Sequence, residues 1–587
     1  MTVRTRVRLA SLVAVMGAVV VLALGPGSPA AHAESYQRIS GEGSSWAAGA
    51  IDAMRVNVKQ FGITVDYNPS GSSAGRKNFL NGTVDFAASD IPFQFHPEDG
   101  SAPENPKPGS YAYMPITAGG TSFMYNLKIN GQRVVNLRLS GENVVKIFTG
   151  VITKWNDPAL KNDNPGLNLP DRPVVPIVRS DGSGSTAQFT KWMIAQYPAL
   201  WNDYCKRSGR APTCGFTSYY PTLTGSKMLG QRGDDGVAGY IAQSFAEGAI
   251  GYVNYSYAIS AQFPVAKVLN AAGYYTEPTP ENVAVSLLQA QINLDSKSDD
   301  YLTQQLDGVY KDSDKRNYQL SSYSYLILPT KLPDPGKGQF NADKGRTLGA
   351  FSYYAMCQAQ KQSASIGYSP MPINLVKASF DQIKRIPGVV VQDIDISKCD
   401  NPTFSADGTN LLAKNAPFPP DCDKQGPTQC ATGTAGARSF STPVSSGGTT
   451  GGGNAGGNGG GGGGSGGGGG SSGGGGAQSG PSANPSASGG ADAAGPANPA
   501  TCDADTGACP TSAADPAGST GSTGSTGSNG STVLRSSGGA QAVASPTVIA
   551  ASSPWSADKL LVAFILVLTL SLILGPAIAW RYFGEAP

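Results

Sequence analysis

Histidine is nearly absent from this sequence: its 587 residues contain only two, His32 and His96. Catalytic triads and metal-dependent enzymes commonly use histidine, so few arrangements of those kinds are available. The sequence also contains no C-x-x-C pair and no G-x-x-x-x-G-K-[ST] loop. These absences remove the usual signals for a zinc site and for nucleotide binding. We therefore expect a protein that is not an enzyme and that uses no cofactor and no metal.

The sequence also lacks an excess of charge of either sign. Its 43 Lys and Arg and 41 Asp and Glu residues give a formal net charge of +2 at pH 7. This balance gives no support for a nucleic-acid-binding surface. An anionic ligand would have to be captured by local dipoles and hydrogen bonds, because the overall charge is too small to attract it.

Both ends of the chain are apolar. Residues 1–33 have the pattern of a signal peptide, with early arginines, an apolar run and a small-residue cleavage site ending at Ala33. The first cysteine is Cys205, so none follows the signal to accept a lipid. Residues 558–581 predict a transmembrane helix and residues 582–587 a cytoplasmic tail. We expect a single-pass cell-membrane protein whose folded region lies outside the cytoplasm.

Between the folded region and this helix, residues 434–550 are dominated by Gly, Ser, Ala, Thr and Pro. Such a segment cannot bury enough apolar surface to offset the entropy of ordering it, so it predicts a disordered linker. The linker would let a receptor stand off the membrane and swing back, or it would serve only as a passive spacer.

The eight cysteines favour disulfide bonds, because their number is even and the chain is expected to be exported. Roughly 100 connectivities are formally possible. The simplest is sequential and pairs Cys205 with Cys214, Cys357 with Cys399, Cys422 with Cys430, and Cys502 with Cys509.

From residue 36 to about residue 400, strand-like and helix-like segments alternate, which predicts α/β lobes with mostly parallel sheets. Strands are expected at 63–67, 84–87, 111–117, 121–127, 174–179, 249–255 and 323–329. Helices are expected at 47–60, 72–82, 140–148, 184–195, 234–245, 280–292, 343–363 and 372–386.

Three of the predicted strand-to-helix turns consist mainly of Gly and small hydroxyl residues: 41–46, 70–75 and 179–186. Each offers backbone N–H groups at the positive end of a helix dipole, and its glycines allow a ligand to approach closely. One such turn alone is usually a helix cap. Three in one α/β region favour a shared anion site.

These turns carry a resemblance to a known family. The stretches GEGSSWAAGAIDAM, GSSAGRKNFLNGTVDFAASDIPF, LSGENVVKIFTGVITKWNDPAL and RSDGSGSTAQFT look like the phosphate-binding proteins of ABC transporters, over roughly residues 38–390. The resemblance implies a two-lobed periplasmic-binding-protein-like fold of type II that closes on inorganic phosphate and delivers it to an ABC permease. We expect lobe I at 36–112 and 318–400, lobe II at 113–317, and a cysteine-containing extension at 401–433.

By motif position, the resemblance implies that one group of residues binds phosphate: Ser45, Trp46, Ser72, Asp90, Arg179, Ser183, Gly184 and Ser185. It further implies that Asp181 orients Arg179 by pairing with it. The alternatives are that Asp90 only caps the turn before Pro92, and that Arg179 is a surface residue at the end of a strand.

The presence of Asp90 in an anion site has a physical reason independent of the family. A carboxylate repels an anion unless the ligand carries a proton that it can donate, as hydrogen phosphate does and sulfate does not. A ligand without that proton would leave the buried acceptor unpaired, which costs roughly 1–3 kcal/mol and more for a charged group. Discrimination by several powers of ten is therefore expected.

Some features depart from the family pattern. Glu42 stands where a small residue is usual and would add negative charge near the site unless its side chain turns outward. Segments 94–110 and 202–233 are longer than is typical. The linker and terminal helix also fit a membrane-tethered adhesion or sensing protein that keeps the binding fold, and a phosphoester hydrolase is a further, weaker alternative.

Overall fold

In a computed structural model of the chain, the structure describes residues 36–210 and 214–444. The predicted signal peptide, transmembrane helix, cytoplasmic tail and the linker beyond residue 444 lie outside these residues, as do Cys502 and Cys509. Within the described ranges, no helix combines the length and the apolar character that crossing a membrane requires.

The strands and helices alternate over most of the described chain. The strands are β1 Ile39–Gly43, β2 Val65–Asn68, β3 Phe86–Ser89, β4 Tyr111–Tyr125, β5 Lys128–Ile129, β6 Gln132–Arg133, β7 Arg138–Leu139, β8 Val175–Arg179, β9 Leu229–Gln231, β10 Ala249–Asn254, β11 Val265–Leu269, β12 Tyr275–Thr276, β13 Gln291–Ile292, β14 Gln304–Gln305 and β15 Ser321–Pro329.

The helices are α1 Ala48–Asn57, α2 Ser72–Leu80, α3 Gly141–Phe148, α4 Pro158–Asp163, α5 Gly184–Gln196, α6 Pro198–Arg207, α7 Gly233–Ile241, α8 Tyr255–Ser260, α9 Pro280–Ser286, α10 Asp307–Lys311, α11 Ala342–Met356, α12 Gln360–Ser363, α13 Ile373–Ile383 and α14 Leu411–Lys414. Most of the expected elements are present within a few residues of their predicted bounds. The helix expected at 280–292 is shorter, since a single 3₁₀ turn and strand β13 follow α9.

One sheet joins the strands in the order β2-β1-β3-β15-β4-β10-β8-β9, with β11 also paired to β4. The expectation of mostly parallel pairing is wrong at its centre, where β4 and β15 run antiparallel to their neighbours on this path. Parallel pairing of successive strands needs a crossover connection, usually a helix. Strands β3 and β4 both run antiparallel to β15, which lies between them, so they are parallel to each other, yet the segment that joins them contains no helix.

Strand β4 connects two parts of this sheet. Its residues 111–120 pair with β15 and its residues 121–125 pair with β10. Two strands were expected here, at 111–117 and 121–127, but the strand is continuous from Tyr111 to Tyr125. Gly119 within it serves close packing, because a Cβ on Gly119 would lie 2.9 Å from a ring atom of Trp46.

Three of the predicted disulfide bonds are present: Cys205–Cys214, Cys357–Cys399 and Cys422–Cys430. The last two lie in or beside the extension at 401–433, which is folded against the rest of the chain. Residues 434–444 are folded as well, which corrects the predicted start of the linker. The Thr434 hydroxyl accepts a hydrogen bond from the N–H of Val265 (2.9 Å), and the N–H of Val135 donates to Thr442 (2.9 Å).

A buried arginine holds this extension in place. The guanidinium of Arg138 donates to the carbonyl of Asp163 (2.8 Å) and, within the extension, to those of Thr428 (2.8 Å) and Cys422 (3.2 Å). It also lies 4.5 Å from the centre of the Tyr275 ring. Because its side chain is almost fully buried, these carbonyls have little access to water as a substitute partner.

Replacing this arginine should therefore destabilise the protein. We expect Arg138→Met to lower the free energy of unfolding by about 3 kcal/mol or more, since several buried carbonyls lose their donor. Lys59→Met, at an exposed position, should change it by less than about 0.5 kcal/mol. Chemical denaturation measures both values. Equal stability of the two variants would contradict the role given to Arg138.

Candidate functional site

The three Gly- and Ser-rich turns lie against one another. The N–H of Ser73, in the second turn, donates to the carbonyl of Gly182 in the third (3.0 Å). A Cβ on Gly184 would lie 2.6 Å from both a carboxylate oxygen of Asp90 and the hydroxyl of Ser72. The sequence separates these residues widely, yet the fold brings them into direct contact.

Asp90 lies at the centre of these turns, just after β3, and is 2% exposed. Its carboxylate accepts hydrogen bonds from the hydroxyls of Ser44 (2.7 Å) and Ser72 (3.2 Å). Its backbone carbonyl accepts from the side-chain amide of Gln188 in α5 (2.8 Å). Burial raises the pKa of Asp90 to about 6, although the hydrogen bond from Ser44 opposes this. The carboxyl group therefore titrates close to physiological pH.

Arg179, at the end of β8, is also buried and forms ion pairs with two carboxylates. Its Nε donates to Asp181 (2.8 Å) and its Nη1 contacts Asp234. Burial lowers the pKa of Arg179, but the charges of Asp234 and Asp181 outweigh this and keep it above its usual value. The interpretation of Arg179 as a surface residue is wrong, and the expected pairing with Asp181 is present.

Helix α5 begins among these groups. Ser183 caps it by accepting a hydrogen bond from the N–H of Thr186 (3.1 Å), and its hydroxyl lies 2.8 Å from that of Ser185. The Ser185 hydroxyl also accepts from Nη1 of Arg179 (3.3 Å). Gly184, the first residue of this 13-residue helix, therefore lies against the carboxylate of Asp90 at the positive end of the helix dipole.

The first turn contributes through two adjacent serines with different partners. Ser44 donates to Asp90, whereas the Ser45 hydroxyl donates to Asp234 (2.7 Å) and accepts from its backbone N–H (3.1 Å). The indole of Trp46 points into the core, where its Nε1 donates to Thr121 (3.2 Å). If Trp46 binds the ligand, it would therefore do so through its backbone N–H.

Sequence reasoning missed two members of this cluster. Ser44 was not among the residues expected to bind phosphate, and its hydroxyl also accepts a hydrogen bond from the N–H of Ala47 (3.1 Å), just before α1. Asp234 was missed because acidic residues in the first turn of a helix are expected from the dipole alone. Its neighbour Asp235 is exposed and Asp234 is fully buried, a difference that the sequence does not signal.

The side chain of Glu42 turns away from the cluster. Its carboxylate accepts hydrogen bonds from the amides of Asn68 (3.2 Å) and Asn78 (2.6 Å). The carboxylate of Glu42 is therefore hydrogen-bonded outside the site.

The two long segments meet each other beside the site. The N–H of Phe216 donates to the carboxylate of Glu98 (3.0 Å), and the hydroxyl of Thr217 donates to Asp99 (2.6 Å). Thr217 is in turn joined to α5, because its N–H donates to the hydroxyl of Thr190 (3.2 Å).

The sequence is similar to that of known proteins over more than half of its length. A model of the PBP superfamily domain matches residues 28–358, more than half of the chain. The chain therefore belongs to the PBP superfamily.

Phosphate-binding protein PstS 2 of Mycobacterium tuberculosis is 29% identical over 321 residues, covering 53% of this chain and 76% of that protein. Phosphate-binding protein PstS of Haemophilus influenzae is 29% identical over 326 residues, covering 56% of this chain and 86% of the relative. The structure of an ABC-type phosphate transport receptor from Vibrio cholerae aligns with a TM-score of 0.32 at 16% identity, covering 57% of this chain and all of that one.

The raised pKa of Asp90 predicts how the stability of the ligand-free protein depends on pH. The usual pKa of an aspartate is about 3.9, so the folded state binds the proton more tightly than the unfolded chain does. The free energy of unfolding should therefore fall as pH rises from about 4 to about 6. Asp90→Asn should be more stable than the wild type at pH 7, by at most about 3 kcal/mol.

Chemical denaturation in phosphate-free buffer at both ends of this range measures the difference. It should disappear below about pH 4, where the wild-type carboxyl group is protonated in both states. A stability difference that does not change with pH would show that Asp90 titrates normally.

Proposed function

We propose that this chain is an extracytoplasmic receptor that captures hydrogen phosphate and delivers it to an ABC permease, and that it is not an enzyme. Its sequence relatives are named as phosphate-binding proteins, which supports both statements. The observation that carries the proposal is the buried carboxylate of Asp90 among hydroxyl groups and the start of α5. A site of this composition suits an oxyanion that has a proton to give.

In the proposed complex, the phosphate oxygens accept hydrogen bonds from the helix starts and the neighbouring hydroxyls, while Asp90 accepts the proton of the ligand. The residues that would bind phosphate are those expected from the sequence: Ser45, Trp46, Ser72, Asp90, Arg179, Ser183, Gly184 and Ser185. Asp181 would orient Arg179. The short contacts between the turns support a single shared ligand, because they bring the donor groups of all three turns together.

The proposal includes closure of two lobes around the ligand, with lobe I at 36–112 and 318–400 and lobe II at 113–317. The pairing of β4 with both β15 and β10 makes it a natural connection between two such lobes. We further propose export by the signal peptide at 1–33 and attachment by the helix at 558–581, with the linker allowing the receptor to reach the permease.

Titration calorimetry of the purified full chain with phosphate and with sulfate tests this function. We expect phosphate to bind at least about a thousandfold more tightly than sulfate, because sulfate has no proton for Asp90. In Asp90→Asn the preference should fall by about a hundredfold or more, since an amide can also donate. The control is Asp66→Asn, which removes an exposed ion pair with Arg38 and should keep the preference for phosphate over sulfate. Equal affinity of the unmutated chain for both anions would refute the proposal.

The close contact at Gly184 gives a second, steric test. We expect Gly184→Ala to weaken phosphate binding by at least about tenfold, because its methyl group would press on Asp90 and Ser72 and hold the turns apart. A Cβ on Gly239, in α7, would meet nothing within 4 Å, so Gly239→Ala should bind normally. The same calorimetric titration applies, and unaltered binding by Gly184→Ala would show that the turns need not touch.

A further inference from the structure

Asp234 belongs to the cluster but is not among the residues proposed to bind phosphate. It lies at the start of α7 and is fully buried. Its carboxylate accepts a hydrogen bond from the N–H of Asn254 (2.7 Å), one from the hydroxyl of Ser45 (2.7 Å) and one from Nη1 of Arg179. Two of these three donors are groups that the sequence assigned to the ligand.

This arrangement changes the charge that a ligand meets. Arg179 is paired on one side with Asp181 and on the other with Asp234. With Asp90 included, the cluster holds three carboxylates, of which Asp90 and Asp234 are buried. The positive charge of the guanidinium is therefore already compensated by the carboxylates. Each additional negative charge on the ligand is repelled by these carboxylates at short range, in a medium of low polarity.

We infer, resting on the proposed function, that Asp234 makes the site select the singly charged dihydrogen form of phosphate over the doubly charged form. It does so indirectly, by holding Arg179 and Ser45 and by adding a buried negative charge. Asp234 is thus a positioning residue that sets which protonation state of the ligand binds. The dihydrogen form carries one negative charge fewer and has one more proton to donate.

The buried tyrosines and Asp181 around Asp234 keep a constant charge at and above physiological pH. The neighbouring titratable groups are Tyr252, beside Arg179, together with Tyr257, Tyr368, Asp181 and the exposed Asp235. Burial raises the pKa of all three tyrosines, so they stay neutral at physiological pH. Burial also acts to raise the pKa of Asp181, but its hydrogen bonds from Arg179 outweigh this and keep the group ionised.

The test is the dissociation constant of the full chain for inorganic phosphate, measured from about pH 7 to about pH 9. In the wild type it should rise by about tenfold per pH unit once the doubly charged form predominates, because only the minor form binds. In Asp234→Asn, which removes the charge and keeps the shape, it should rise by at most about threefold over the range. Asp235→Asn, at the adjacent exposed position, should follow the wild type.

A second measurement on the wild type does not depend on how the variant folds. Calorimetry in buffers of different ionisation enthalpy should show uptake of about one proton per phosphate bound at about pH 8.5. Asp234→Asn, confirmed as folded by its thermal transition, should take up almost none.

Parallel pH profiles of the wild type and Asp234→Asn would overturn the inference, and so would binding by the wild type without proton uptake. Absence of phosphate binding by the wild type at every pH would be a different result. It would refute the proposed function itself, and this inference with it.

Discussion

The arrangement of the whole site depends on one buried guanidinium. Arg179 ends a strand in one part of the sheet and is held by Asp181 from its own turn and by Asp234 from the start of another helix. An unpaired charge would be very costly to bury there, and two carboxylates compensate that cost. Because these carboxylates are themselves tied to backbone N–H groups of Gly233 and Asn254, the side chain, the strand and two helix starts are fixed together.

The second constraint is the closeness of the turns, which only small residues permit. Gly184 lies against Asp90 and Ser72 without room for a methyl group, and the Ser73 N–H reaches the carbonyl of Gly182. The hydroxyls of the cluster are then close enough to satisfy the buried carboxylates. Groups that hydrogen-bond to one another in this way are also the groups that could hydrogen-bond to an oxyanion placed among them.

Much of this could be predicted from the sequence, because turn chemistry is local. The Gly- and Ser-rich turns, the order of most strands and helices, and three disulfide pairs are confirmed. The part that the sequence could not supply is long-range. Asp234 is buried and the adjacent Asp235 is exposed, a difference that depends on tertiary packing. The antiparallel pairing of the central strands depends on contacts between distant segments. So does the folding of residues 434–444 onto Val135 and Val265.

In the proposed complex, the three turns share one oxyanion and Asp90 accepts its proton. A crystal structure of the chain grown with phosphate tests this most directly. We expect one phosphate with an oxygen about 2.5–2.7 Å from the Asp90 carboxylate, the distance of a charge-assisted O–H···O⁻ bond, and other oxygens facing the start of α5. A phosphate bound elsewhere, or one at this site that makes no contact with Asp90, would contradict it.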